Sequence, residues 1–289
     1  MVFQCSLEET NSCSGSSLPV FNDNKMKTLI SLLRGRIEAF RLECDFLGRF
    51  IRMISSRSER VNHQGVDMVF ATPNALTKFR VRSFSTKEPE TLEWIDSFPN
   101  GSILWDIGAN VGMYSIYAGK RGCSVVCFEP SVFNLEVLAR NIHLNLLTKS
   151  LSICPLPLID ASGCSAFRMT NPCSGSALST FRESYGADGR RLDETFSYQT
   201  FGLSLDEFLK IFKCDPPNYV KLDVDGVEHL ILRGGRMVLR NVKEVLVEIS
   251  PEFAEQRDEC YAVMTELKFR MKASKKARNS TTNEIWTKY

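Results

Sequence analysis

The run Ile103–Gly112, I-L-W-D-I-G-A-N-V-G, constrains the fold of this chain more than any other segment. Ile103, Leu104 and Trp105 read as a buried strand with Asp106 at its carboxyl end. Gly108 and Gly112 then let the backbone turn tightly into a helix starting near Met113. A strand that passes through glycines into a helix N-terminus is the first βα turn of an open α/β sheet. Ligands bind there because the backbone can approach them closely and the first helical N–H groups lack partners. The turn therefore reads as a socket for a nucleoside-bearing cofactor.

Spacing narrows the cofactor. The dinucleotide pattern G-x-G-x-x-G fails, because Gly108 and Gly112 are four residues apart with Asn110 between them. A D-x-G-x-N-x-G turn suits S-adenosylmethionine better. Its amino-acid end carries an ammonium for a carboxylate such as Asp106 and a carboxylate for backbone N–H groups, and it has no phosphate. A second apolar strand, Ser124–Pro130 (S-V-V-C-F-E-P), ends in Glu129. That acid follows the turn by about 20 residues, the offset at which a carboxylate accepts two hydrogen bonds from ribose hydroxyls.

Tyr219–His229, Y-V-K-L-D-V-D-G-V-E-H, repeats the pattern of apolar strand, acids, glycine and helix. Asp223, Asp225, Glu228 and His229 are too crowded for a dry core and are expected at a cleft on the carboxyl edge of the sheet, although acids at a helix start also satisfy its dipole. Transfer of a methyl from a sulfonium is governed by positioning, and a hydroxyl acceptor must also lose a proton. Asp223 is the first candidate for the group beside the methyl. His229 is the second, since the positive end of a helix favours neutral, basic imidazole. Glu248, ending the strand Glu244–Ile249, is expected to orient the acceptor. Acids at strand ends need no metal to act, and no metal site is expected. Two further acids complete the cofactor set: Glu88, with Thr91, closing over the methionine end, and Asp160, in the loop after Leu151–Leu158, meeting the adenine amino group unless it is a turn acid.

Taken in order, D-I-G-A-N-V-G, F-E-P, V-K-L-D-V-D-G-V-E-H-L-I-L-R-G and V-L-V-E-I, with K-E-P-E-T (Lys87–Thr91) upstream, make the chain similar to the FkbM family of methyltransferases from about Arg80 onward. The resemblance implies a class I, Rossmann-like fold: a doubly wound, mainly parallel seven-stranded sheet whose last strand is reversed. It also implies S-adenosylmethionine as donor and, often, O-methylation of a sugar or natural-product hydroxyl. Asp225 departs from the pattern, since members commonly carry glutamate there. RNA or protein methylation, and a cofactor-binding protein without catalysis, are the alternatives.

The remaining chain is read around this core. Residues 1–24, rich in Ser, Asn and Cys, read as a disordered tail. Residues 25–100 hold an N-terminal helix and an approach segment, and 101–289 the cofactor-binding domain. In the helix, Leu33, Ile37, Phe40, Cys44, Leu47, Ile51 and Ile54 form an apolar stripe with arginines on the other faces. The stripe is expected to pack on the domain; a homodimer through it, or an anionic membrane surface, are the other readings. Met68–Ala71 and Lys78–Ser83 read as short strands and Pro89–Phe98 as a helix. Alternating strands and helices follow, which predicts a mainly parallel sheet covered on both faces. Residues 163–199 interrupt the rhythm as a long basic loop suited to an acidic or sugar-rich acceptor, and Lys268–Arg278 reads as the exposed turn of a closing hairpin.

A net charge of +2 argues neither for nor against nucleic acid, but the basic run Lys268–Arg278 has few interleaved stacking aromatics, which leaves a small-molecule or glycan acceptor as the expected partner. No stretch reaches 18 uninterrupted apolar residues, and the N-terminus lacks a signal pattern. Ten scattered cysteines without a C-x-x-C pair read as buried free thiols in a reducing cytoplasm.

Overall fold

The computed structural model describes residues 23–276 and 281–288. Residues 1–22 of the expected tail lie outside them, and helix α1 (Asp23–Ser55) already begins at Asp23. The chain divides into two units at Met53/Ile54. The first is α1, on which Leu33, Ile37, Phe40, Leu47 and Ile51 are exposed and Phe46 stacks on Phe50 at 6.5 Å.

The second unit opens with a hairpin, β1 (Ser58–His63) and β2 (Val66–Ala71), followed by α2 (Ala75–Lys87) and α3 (Pro89–Asp96). The strand expected over Lys78–Ser83 is therefore a turn and a half of α2. Asn74 accepts from the Thr77 N–H at 2.8 Å while Thr77 answers the Asn74 N–H, a capping box that starts a helix, and Thr77, Val81 and Phe84 recur at helical spacing on its buried side. Local alternation in K-F-R-V-R-S misleads because its period is overruled by that cap.

The core then alternates as the motifs require: β3 (Ile103–Ile107), α4 (Met113–Lys120), β4 (Ser124–Phe128), α5 (Val132–Leu144) and β5 (Leu151–Cys154). After an insertion come α6 (Leu205–Phe212), β9 (Tyr219–Leu222), α7 (Glu228–Arg233), α8 (Arg236–Leu239), β10 (Glu244–Ile249), α9 (Ala254–Glu266) and the hairpin β11 (Arg270–Lys276) and β12 (Thr282–Thr287). The seven strands lie in the order β11-β12-β10-β9-β3-β4-β5, and β12 alone runs against its two neighbours, in an otherwise parallel sheet. From β3 the chain winds outward through β4 and β5, then returns to place β9 on the other side of β3. The crevice at that reversal is where open α/β sheets bind ligands. Leu104, Ile116, Val125, Leu138 and Leu246 fill one face of the sheet. Trp105, Ile107, Phe128, Val220 and Val247 fill the other.

Two expectations change. The insertion is not a loop but a three-stranded antiparallel sheet, β7 (Ser179–Phe181), β6 (Gly163–Met169) and β8 (Phe196–Gly202), held because Phe167, Met169 and Phe181 bury into the main core. The basic run after Lys268 mostly forms β11, an exposed edge strand whose Lys272 and Lys275 pair with Glu244 and Glu93, charges of the kind that deter edge pairing. Among the described cysteines all are free, but only Cys123, Cys127, Cys154 and Cys260 are buried; Cys44 and Cys164 are exposed. No helix among the described residues is long and apolar enough to cross a membrane.

Candidate active site

Strand register assembles the site. Ile107 pairs with Phe128 on β4 and Leu222 on β9, and Leu222 pairs with Val247 on β10. The next residue on each strand is Gly108, Glu129, Asp223 and Glu248, so these four form one row across the carboxyl edge of the sheet. All four line a cavity of about 330 Å³, within the size range of small-molecule sites. Gly108 is required in this row: at φ +85°, a Cβ there would sit 1.9 Å from the Asp223 carbonyl oxygen.

Glu129 is buried, and its two carboxylate oxygens accept the Asn110 N–H (2.7 Å) and the Ser131 N–H (2.8 Å). A carboxylate offers about four lone-pair sites, so a vicinal diol can still be bound. Burial outweighs these bonds and lifts Glu129 to about 7. Asn110, at φ +53°, lines the cavity and donates from Nδ2 to the Ser176 carbonyl at 2.6 Å, tying the glycine turn to the insertion.

Asp223 receives Lys221 Nζ at 2.7 Å. Lys221 is buried on the row two residues deeper, beside Asp106, with its ammonium 5.2 Å from the Tyr114 ring centroid. Burial favours the neutral form of Asp223, but the Lys221 charge prevails and holds it well below the usual carboxylate range. Burial would lower Lys221, and the charges of Asp223, Asp106 and Glu88 raise it instead. Glu248 behaves oppositely: burial and the Asp223 charge push it well up, although the Thr281 hydroxyl donates to it at 2.7 Å. Asp225, at φ +62°, accepts the Leu178 N–H at 2.7 Å and is lifted by burial to about 6. Glu228 turns back to accept from Val224 N and Gly226 N, fixing the turn between β9 and α7.

Five of the expected site residues thus meet at the cavity: Gly108, Asn110, Glu129, Asp223 and Glu248. Five lie outside its lining. Asp106 is not at the strand end, because β3 continues to Ile107; its side chain is buried against α4, where Ser115 donates to it, and its Oδ1 has no partner. Gly112 serves packing, since a Cβ there would meet Leu138 at 2.4 Å. Asp160 is held between Arg182 and Arg233. Glu88 turns inward beneath the site, bonded by Lys87 and by Thr91. His229 lies one position round α7 from Glu228, packs on Phe253 at 5.8 Å, and is kept neutral by burial. The sequence reading missed Leu76, Phe79, Arg80 and Lys87 of α2 and Ser176–Phe181 of the insertion, which complete the wall. The capping pattern N-A-L-T at Asn74 was the available signal for the first group. Among the described residues no cluster of three or more His, Cys, Asp or Glu side chains is placed to hold a metal ion.

Residues 106–271, more than half the chain, match the Methyltransferase FkbM domain family. The chain belongs to the FkbM methyltransferase family. Hexuronic acid methyltransferase AglP of Haloferax volcanii is 27% identical to this FkbM chain over 173 residues, 59% of the chain and 65% of that protein. Methyltransferase 1 of Beauveria bassiana is 27% identical over 148 residues, 47% of the chain and 59% of that protein. The FkbM chain therefore spans less than two thirds of the length of either relative. The solved structure of a Methyltransferase FkbM from Methylobacillus flagellatus superposes with a TM-score of 0.45 at 14% identity, covering 74% of this chain and 52% of that one.

The lining fits the donor such a family implies. Glu129 is open to a diol, while Leu156, Pro157, Leu158 and Phe181 offer apolar walls to a base. Asp223, held ionised by Lys221, suits a cationic sulfonium and ammonium and opposes a pyrophosphate.

Proposed function

We propose that the chain transfers a methyl group from S-adenosylmethionine to a hydroxyl of a sugar, glycan or small natural product. The observation that carries this reading is the single row Gly108, Glu129, Asp223 and Glu248 at the chain-reversal crevice, because it puts a diol-binding acid and a charged acceptor-side acid on one cavity. The sugar preference draws on the relative named for hexuronic acid.

Bound in this cavity, the donor supplies an electrophilic methyl on a positively charged sulfur. The chain's own residues do the rest. Glu129 holds the ribose hydroxyls, and the Gly108 backbone permits close approach beside them. Asp223, kept ionised by Lys221, accepts the hydrogen bond of the acceptor hydroxyl and takes up its proton as the oxygen attacks. Glu248, whose proton affinity is raised by burial and by the Asp223 charge, orients the acceptor. The two carboxyls divide the work because their surroundings push their proton affinities apart.

Calorimetric titration with S-adenosylhomocysteine and with NAD tests the donor: tight binding of the first and none of the second is expected, and the reverse overturns the reading. Incubation of glycan, metabolite and RNA pools with radiolabelled donor tests the acceptor. Label is expected in base-stable ether linkage on a saccharide or small molecule, and label in RNA or protein overturns that part.

A further inference from the structure

The transfer described above makes no use of Phe79, Arg80 or Leu178, yet all three line the cavity. Phe79 is 56% exposed and Leu178 48% exposed, so two large apolar side chains stand open to water on one rim. Leu178 also holds a left-handed backbone, φ +59°, latched by its N–H to Asp225. Such a conformation is unfavourable for a residue with a side chain and collects at ligand-binding sites. Arg80 sits one residue along α2 from Phe79. Its Nε donates to the Gly175 carbonyl at 2.7 Å, which fixes the plane of the guanidinium and engages only that nitrogen. A carboxylate can pair with the remaining Nη edge through two parallel bonds.

Charge along the cavity points the same way. The strand-edge side carries carboxyls only, and the cations of the lining are Arg80 and Lys87 on α2. Lys87 is bonded to Glu88. Among the described residues no ion pair joins Arg80 to an acid, and Asp225, the acid its charge acts on, already accepts from Leu178. The rim therefore combines flat apolar surface with one oriented cation, facing an ionised base deeper in.

We propose that this rim binds a sugar whose ring carries a carboxylate, with the C–H face of the ring against Phe79 and the carboxylate on Arg80, so that a ring hydroxyl reaches Asp223. The inference rests on the donor reading above and names its acceptor class. Arg80 sets specificity for the anion, and Phe79 sets affinity for any pyranose.

The test uses the whole chain saturated with S-adenosylhomocysteine. Methyl glycosides of glucuronic and galacturonic acid, their glucose and galactose counterparts, and glucose 6-phosphate are titrated by calorimetry. The uronates are expected to bind at least about tenfold tighter than the neutral sugars, because a charge-assisted bidentate pair is stronger than a neutral hydrogen bond. Arg80→Gln is expected to abolish that preference, Arg80→Lys to keep part of it, and Phe79→Ala to weaken both sugar types alike. S-adenosylhomocysteine affinity and melting temperature report whether each variant is folded, and the preference of the unaltered chain decides by itself should a variant fail to fold. Equal binding of acidic and neutral sugars, preference for the phosphate, or no sugar binding with S-adenosylhomocysteine bound overturns the proposal. Failure of S-adenosylhomocysteine itself to bind overturns the donor reading instead.

Discussion

Two rows of side chains lie on the same face of the sheet, two residues apart along the strands, and they have opposite fates. The inner row pairs Asp106 with Lys221 across β3 and β9; both are buried, and Asp106 accepts from Ser115 through Oδ2. The outer row, one pleat further, carries Glu129, Asp223 and Glu248 at the cavity. An acid near the end of a β-strand thus need not line the cavity. Residues on one face recur every second position, and a shift of one pleat turns a ligand-facing carboxylate into the counter-charge of a buried lysine. The inner row supports the outer one, because Lys221 reaches up to Asp223 at 2.7 Å.

Experiments that remove one row at a time can break this contrast. The largest effect is expected at Asp223→Asn. Loss of the proposed base should lower the transfer rate by about 10²–10⁴-fold, measured with the acceptor recovered from labelled pools, while calorimetry shows S-adenosylhomocysteine still bound. Retained transfer would remove Asp223 from the chemistry. Lys221→Met comes next. It leaves the buried Asp106 and the half-buried Asp223 without their cation and should cost about 3–5 kcal/mol in urea unfolding, with part restored by adding Asp106→Asn; an unchanged midpoint would deny the inner row its supporting role.

A smaller effect concerns pH. With Glu129 at about 7, the ionised form, which the proposed diol contact needs, rises from about a tenth to about nine tenths of the population between about pH 6 and 8. S-adenosylhomocysteine should then bind about tenfold tighter at the higher pH, and Glu129→Gln should flatten the profile. Stability of the ligand-free protein runs the other way. A carboxyl raised above its unfolded value of 4.5 contributes stability below that value, lost as pH climbs through about 7. The melting temperature of Glu129→Gln should therefore fall less between pH 5 and 8 than that of the unaltered chain, by about a few degrees. The smallest effect is expected at Asp106→Asn, which should change S-adenosylhomocysteine affinity by less than about twofold. A large loss there would erase the distinction between the rows.

Much of this was legible in the sequence because it depends on local order. Apolar strand, acid and glycine in D-I-G-A-N-V-G, F-E-P and K-L-D-V-D-G set the parallel sheet and brought Gly108, Asn110, Glu129, Asp223 and Glu248 to one edge. Three kinds of information were not local. Which acid is the last before the cavity depends on where strand pairing stops, so Asp106 reads like a site residue although Ile107 still pairs. Which way a side chain turns at a helix start depends on its neighbours: Glu228 folds back on the Val224 and Gly226 N–H groups, and His229 is carried round to Phe253. Asp160 is claimed by Arg182 and Arg233, which come from elements 22 and 73 residues away in sequence. The α2 wall escaped for a similar reason, since Phe79 and Arg80 reach the cavity only through tertiary packing.

Gly108 has a practical consequence. With 1.9 Å between its missing Cβ and the neighbouring strand's carbonyl, the spacing between β3 and β9 admits no side chain, and even alanine would pry the two strand ends apart. Anyone reshaping this pocket for a new acceptor should leave that hydrogen atom alone and redesign the α2 side, where removable side chains, rather than main chain, form the boundary.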